Sequence, residues 1–105
     1  MIGVVQTATF KAWFDGLRDG VAQSRILVRI GRLERGNFGD AKFFDGIGEL
    51  RIPHGPGYRV YFLRRGEEVV LLLSGGDKGS QRRDIAEAKR LAREVKEHGG
   101  NDPAV

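Results

Sequence analysis

Cysteine is absent from the 105 residues, which excludes disulfides and thiolate metal sites and makes a reducing compartment the natural one. Histidine is nearly absent: His54 and His98 stand alone and do not form the paired spacing of a metal site, so neither a metal nor a cofactor is expected. Long apolar runs are missing too. None approaches the roughly 20 residues of a membrane span, and Met1 to Val5 is too short for a signal peptide. The expectation is a soluble, cytoplasmic protein with no membrane contact. Nor does charge of one sign collect into a tail that would act as a nucleic-acid arm.

What is present is a modest cationic excess. Eighteen Lys and Arg, thirteen of them arginine, stand against fourteen Asp and Glu, for a formal charge of +4. That tilts the chain towards anionic partners without selecting one. Hydrophobic residues make up 40%, with nine aromatics, enough for a folded globule; this length supports one domain around one layered core. The expected domain covers residues 1–98, and 99–105 reads as a flexible C-terminal tail.

Periodicity orders the chain. Ile2 to Gln6 is a short β-prone run, after which Thr7 or Thr9 caps a helix. Its Phe10, Trp13, Phe14 and Leu17 recur at the spacing of a buried stripe, and Asp19-Gly20 is expected to stop it. A second helix runs from about Val21 to Arg35, with Ala22, Ile26, Ile30 and Leu33 facing inward and Gly36 at its end, so the two make a helical hairpin. Arg25, Arg29 and Arg32 form a basic stripe on it. Such a stripe is either a solvated face or an attraction to RNA phosphates or to an acidic partner. Asn37 to Gly46 reads as a connector whose Phe38, Phe43 and Phe44 fold back on the core.

The next stretch carries chemistry. In Glu49-Leu50-Arg51-Ile52 and Tyr58-Arg59-Val60-Tyr61-Phe62, two alternating runs flank a loop rich in Gly and Pro, the pattern of a hairpin. Pairing symmetric about Gly55 puts Leu50, Ile52, Tyr58, Val60 and Phe62 on one face. Glu49, Arg51, Arg59 and Tyr61 then share the other, with two guanidinium groups side by side. Like charges across a strand pair are unfavourable, so the arginines call for a carboxylate or an external anion. Glu49 answers internally; a phosphate, which suits the planar arginine fork, answers from outside.

Val69 to Leu73 is apolar at every position and so reads as the strand covered on both faces. Ser74 to Gln81 reads as a glycine-rich turn into a last helix, about Ser80 to His98, whose Ile85, Ala88, Leu91, Ala92 and Val95 face inward. Lys78-Gly79-Ser80 is not a nucleotide-binding loop, because Gly79 separates the lysine from the serine. Asp77 is expected to bond local amides and Ser80 to cap the helix, whose free amides beside Lys78 also suit a phosphate.

Gly48-Glu49-Leu50-Arg51-Ile52, Gly55-Pro56-Gly57-Tyr58-Arg59-Val60-Tyr61-Phe62 and Leu71-Leu72-Leu73-Ser74-Gly75-Gly76-Asp77-Lys78, with Gln81, Asp84 and Ile85, resemble the RelE/ParE superfamily of type II toxins. Within it the chain is most similar to the HigB-like addiction module killer proteins, over roughly Ile2 to Lys96. The resemblance implies an α+β fold: a small, mainly antiparallel sheet in the order β-α-α-β-β-β-α, with an N-terminal helical hairpin and a C-terminal helix. It implies a growth-inhibiting toxin, in many members a ribosome-dependent mRNA endoribonuclease, neutralised by a cognate antitoxin that commonly carries a helix-turn-helix DNA-binding domain. A non-catalytic inhibitor of DNA gyrase, as in ParE, is the alternative.

Carried over, Arg59 occupies the place of the family's transition-state arginine, Arg51 matches the basic residue of the preceding strand, and Lys78 a further cation. Asp77 completes the catalytic candidates. The RNA-binding candidates are Tyr61, His54, Arg29, Arg32, Arg82 and Arg83. This sequence departs from the RNA-cleaving pattern where a tyrosine or histidine serves proton transfer, reading Gln81-Arg82-Arg83-Asp84 instead. Asp77, Glu49, His54 and Tyr61 are the substitutes.

Overall fold

The computed structural model describes residues 1–97, so His98 and the tail expected at 99–105 lie outside the described residues. The fold is α+β, with a five-stranded mixed sheet and three helices: β1 (Gly3–Gln6), α1 (Ala8–Asp15), α2 (Gly20–Glu34), β2 (Ala41–Phe44), β3 (Ile47–Ile52), β4 (Tyr58–Arg65), β5 (Val69–Asp77) and α3 (Gln81–Glu97). The strands lie in the order β1-β5-β4-β3-β2. Only β1 pairs in parallel, against β5. Among the described residues no helix is long and apolar enough to cross a membrane.

Thr7 joins the first strand to the first helix. Its hydroxyl accepts from the Phe10 amide at 3.1 Å as an N-cap and donates to the Leu73 carbonyl at 2.8 Å, which pins the start of α1 to the middle of β5. The helix stops at Gly16, earlier than expected. Asp19 does not end it but begins the next one, accepting from the Ala22 amide at 3.0 Å. On α2, Ala22, Ile26, Ile30 and Leu33 are all buried, as their spacing predicts.

The connector expected at Asn37 to Gly46 contains a strand. Ala41 to Phe44 pairs antiparallel with β3 through a two-residue turn in which Asp45 (φ 51°) and Gly46 (φ 82°) both take the left-handed conformation that hairpins of this length require. The Asp-Gly dipeptide between apolar residues is the sequence signal for it. The glycine-rich turn is also shorter than expected. Strand β5 continues through Asp77, and only Lys78–Ser80 turns, as a single 3-10 stretch. Gly75 and Gly76 serve here as strand residues that others approach closely. A Cβ on Gly75 would overlap the Trp13 ring, and one on Gly76 the Asp84 carboxylate.

Two apolar layers result. Towards α1 and α2 lie Leu50, Ile52, Val60, Phe62, Val70 and Leu72. Towards α3 lie Ile47, Tyr61, Leu63, Leu71 and Leu73, against Ala88, Leu91, Ala92 and Val95. Strand β5 is thus covered above and below, as its unbroken apolar run requires. It also carries a bulge: Tyr61 pairs with Ser74 but Phe62 with Leu72, leaving Leu73 unmatched.

Candidate anion-binding site

The β3–β4 register is Glu49↔Tyr61, Leu50↔Val60, Arg51↔Arg59 and Ile52↔Tyr58, the pairing that symmetry about Gly55 predicts. Arg51 and Arg59 therefore stand opposite each other on the α3 side of the sheet, at the end where α3 begins. Lys78 joins them at the rim. A Cβ on Gly57 would sit 3.5 Å from Lys78 Cβ and 3.9 Å from Arg59 Nη1, so the lysine stem and the guanidinium flank the same glycine. Gly57 itself has φ 81°, a conformation open to glycine and strained for other residues.

Each arginine has a carboxylate. Arg59, 14% exposed, has its Nε 3.8 Å from Oε2 of Glu49, which is 2% exposed; Gln81 Nε2 donates to the same oxygen at 2.9 Å. Arg51, 41% exposed, reaches sideways to Asp40 Oδ1 at 3.3 Å. Asp40 was hidden from sequence reasoning because it faces Arg51 only once β2 has paired with β3. The expected choice between an internal carboxylate and an external anion is therefore met internally for both arginines. Arg51 keeps a solvent-facing edge.

The pairing is incomplete. Among the described residues, the buried side-chain polar atoms without a hydrogen-bond partner are Arg51 Nε, Arg59 Nε, Tyr61 Oη and Ser74 Oγ. These belong to two cross-strand pairs, Arg51 with Arg59 and Tyr61 with Ser74, on neighbouring rows of one face. An unpartnered buried polar atom costs about 1–3 kcal/mol. Four such atoms cluster here, where a ligand or an ordered water can supply the missing partner. Burial first, and then the Glu49 carboxylate, push the Tyr61 phenol well above its ordinary range; Asp84 adds to this and Arg59 opposes it.

The start of α3 closes the site. Asp77 Oδ1 accepts from the amides of Gly79 (2.8 Å) and Ser80 (3.2 Å), and Ser80 Oγ donates to Asp84 Oδ2. Asp84 lies against the Gly76 backbone. Arg82 and Arg83 are exposed beside this turn, lining a depression with Gly79, Ser80 and Ala86. Arg83 Nε is 3.6 Å from Asp84 Oδ1.

Three of the RNA-binding candidates are corrected by position. Tyr61 is fully buried against α3 and has no face to offer a base. His54 lies on the other side of the molecule, its Nε2 3.0 Å from Asp19 Oδ2 and its ring 6.4 Å from that of Tyr58, so it ties the β3–β4 loop to the cap of α2. Arg29 is a structural brace. Its guanidinium donates to the carbonyls of Arg51, of Phe38 (3.1 Å) and of Asp40 (2.9 Å), and burial pulls its pKa down. Arg32 is exposed on α2 and lines a cleft with Arg29 and Asp40. Glu49, as a proton carrier, is sealed from solvent. Among the described residues no group of three or more His, Cys, Asp or Glu could hold a metal ion.

No known family model matches the chain. It is 48% identical over 95 residues to an uncharacterized protein of Haemophilus influenzae, a match that spans 90% of this chain and 96% of that protein.

Proposed function

Since this chain belongs to one family with the Haemophilus influenzae protein, we propose for it the role that its motifs imply: the toxin of a type II toxin–antitoxin module, RelE/ParE superfamily, HigB-like group. The activity we assign is metal-independent cleavage of mRNA on the ribosome, with a helix-turn-helix antitoxin as the neutralising partner. The observation that supports it is the Arg51–Arg59 cross-strand pair with Lys78 at its rim, in the one face that holds the unpartnered buried polar atoms.

In this reading a phosphodiester lies across Arg51 and Lys78, with Arg59 beneath. The ribose 2′-oxygen bonds to phosphorus, the bond to the 5′-oxygen breaks, and a 2′,3′-cyclic phosphate remains. Negative charge grows on the equatorial oxygens, and cations fixed in a partly dry site stabilise it more than they stabilise the ground state. The 2′-hydroxyl proton goes to Asp77, half-exposed next to Lys78 with one oxygen engaged in capping. The leaving 5′-oxygen takes its proton from water.

A second reading, gyrase inhibition without catalysis, is favoured by one observation: both arginines already have carboxylate neighbours, which a phosphate must displace. Mapping mRNA 5′ ends in a translating extract separates the two. Cuts that appear with the protein and vanish in Glu49→Gln/Arg59→Met support cleavage. Intact mRNA with arrested DNA supercoiling selects the gyrase reading.

A further inference from the structure

Three side chains converge on the buried Glu49 carboxylate: Arg59 and Tyr61 from β4, and Gln81 from the first residue of α3. Gln81 makes the hydrogen bond. Its Nε2 donates to Oε2 at 2.9 Å, whereas Arg59 Nε stands 3.8 Å from the same oxygen, too far for one. Arg59 Nε is therefore a buried donor without a hydrogen-bond partner, next to an acceptor that is already engaged. Electrostatics alone would favour the reverse, because a guanidinium adds the attraction of its charge to that of the hydrogen bond. What fixes Gln81 in place is the turn before it. Asp77 accepts from the amides of Gly79 and Ser80, and Ser80 Oγ donates to Asp84, so the start of α3 is set and the Gln81 amide reaches over β4 to β3. The outer end of the guanidinium meets the rim: Arg59 Nη1 lies beside Gly57, as does the Lys78 stem.

We propose that Gln81 is a positioning residue of the anion site: by holding the Glu49 carboxylate off Arg59, it keeps that guanidinium incompletely paired and open to a phosphate. The inference deepens the reading of the Arg51–Arg59 pair as an anion site and rests on it, but on no step of mRNA cleavage. Without the Gln81 amide, Glu49 closes on Arg59 Nε, and the internal anion competes with the external one. With it, the carboxylate still offsets the burial of the arginine charge while hydrogen-bonding capacity remains for the ligand.

Gln81→Met removes the donor at nearly constant volume. Titration of the full-length protein with inorganic phosphate, followed by NMR of the arginine Nε–H groups, reads affinity and pairing together; the Arg59 signal is the one missing in Arg59→Lys. In Gln81→Met that signal is expected at its carboxylate-bonded position before any phosphate is added, and phosphate affinity falls by at least about fivefold. In Glu49→Gln, which has no carboxylate to restrain, adding Gln81→Met changes affinity by less than about twofold. A packing role for Gln81 would weaken binding equally in both backgrounds. That outcome overturns the proposal, as does an unshifted Arg59 signal or an unchanged affinity in Gln81→Met. If Glu49→Gln does not fold, the Arg59 signal in Gln81→Met decides alone. Wild type that binds no phosphate overturns the anion site and this inference with it. Phosphate affinity that depends on Gln81 in a protein that cuts no mRNA supports this inference while removing the cleavage.

Discussion

Against the helical hairpin the sheet presents Leu50, Ile52, Val60, Phe62, Val70 and Leu72; against α3 it presents apolar residues interrupted by Glu49, Arg59, Tyr61 and Ser74. On the first face the one buried hydroxyl, that of Thr7, both accepts and donates. On the second, Tyr61 and Ser74 have buried hydroxyls with no partner, and a buried glutamate faces an arginine across 3.8 Å. The same five strands therefore hold a conventional core on one side and a polar layer that stability alone does not call for on the other.

Substitutions on the two faces should separate stability from activity. The largest expected stability loss is on the hairpin face: Phe62→Ala removes a fully buried ring that packs on Phe38 and Phe43, and should cost about 3–5 kcal/mol in urea unfolding. On the polar face, Arg59→Met alone leaves Glu49 buried without its cation and should cost about 3 kcal/mol. Glu49→Gln/Arg59→Met should regain most of that loss, because no buried charge is left unpaired. If the double variant is as unstable as the single one, Glu49 and Arg59 are not a coupled pair. Under the proposed toxin activity, mRNA cleavage by the double variant should still fall by at least about 100-fold.

Tyr61→Phe deletes a buried hydroxyl that meets no strict hydrogen-bond geometry but lies within the influence of the Glu49 carboxylate, and is expected to change stability by no more than about 1 kcal/mol at neutral pH. It should also alter the alkaline limb. A phenol whose folded pKa is raised loses stability as pH climbs past its unfolded value of about 10, because only the unfolded chain then releases the proton. That loss should shrink in the variant when stability is followed from pH 9 to 11. The smallest effect belongs to Asp19, whose pKa is lowered first by the Ala22 amide and also by His54. A depressed carboxylate stabilises above its unfolded pKa and ceases to do so as pH falls through the folded one. The difference between wild type and Asp19→Asn should therefore narrow below about pH 4.

Much of this was legible beforehand because periodicity reports local geometry. The inward residues of α2, the double coverage of β5 and the pairing of Arg51 with Arg59 follow from spacings of 3.6 and 2 residues. Strand β2 was readable as well, from the Asp45-Gly46 turn, but its four residues are too few to show an alternation. Gly75 and Gly76 misled, since two glycines in sequence look like a turn. Here they are strand positions cleared for Trp13 and Asp84, elements far away in the chain.

The sequence by itself determined which side chains share a face, since alternation along a strand is a property of the backbone and needs no partner. It also named Glu49 as an internal carboxylate for the pair, but not the neighbours that other elements bring. Asp40 reaches Arg51 through β2, Gln81 reaches Glu49 from α3, and Arg29 binds the carbonyl of Arg51 from α2. Those neighbours come from three different elements, and only packing brings them together. How much charge the site keeps for a ligand is set by distances of 3 to 4 Å, over which electrostatic interactions inside a protein change most steeply.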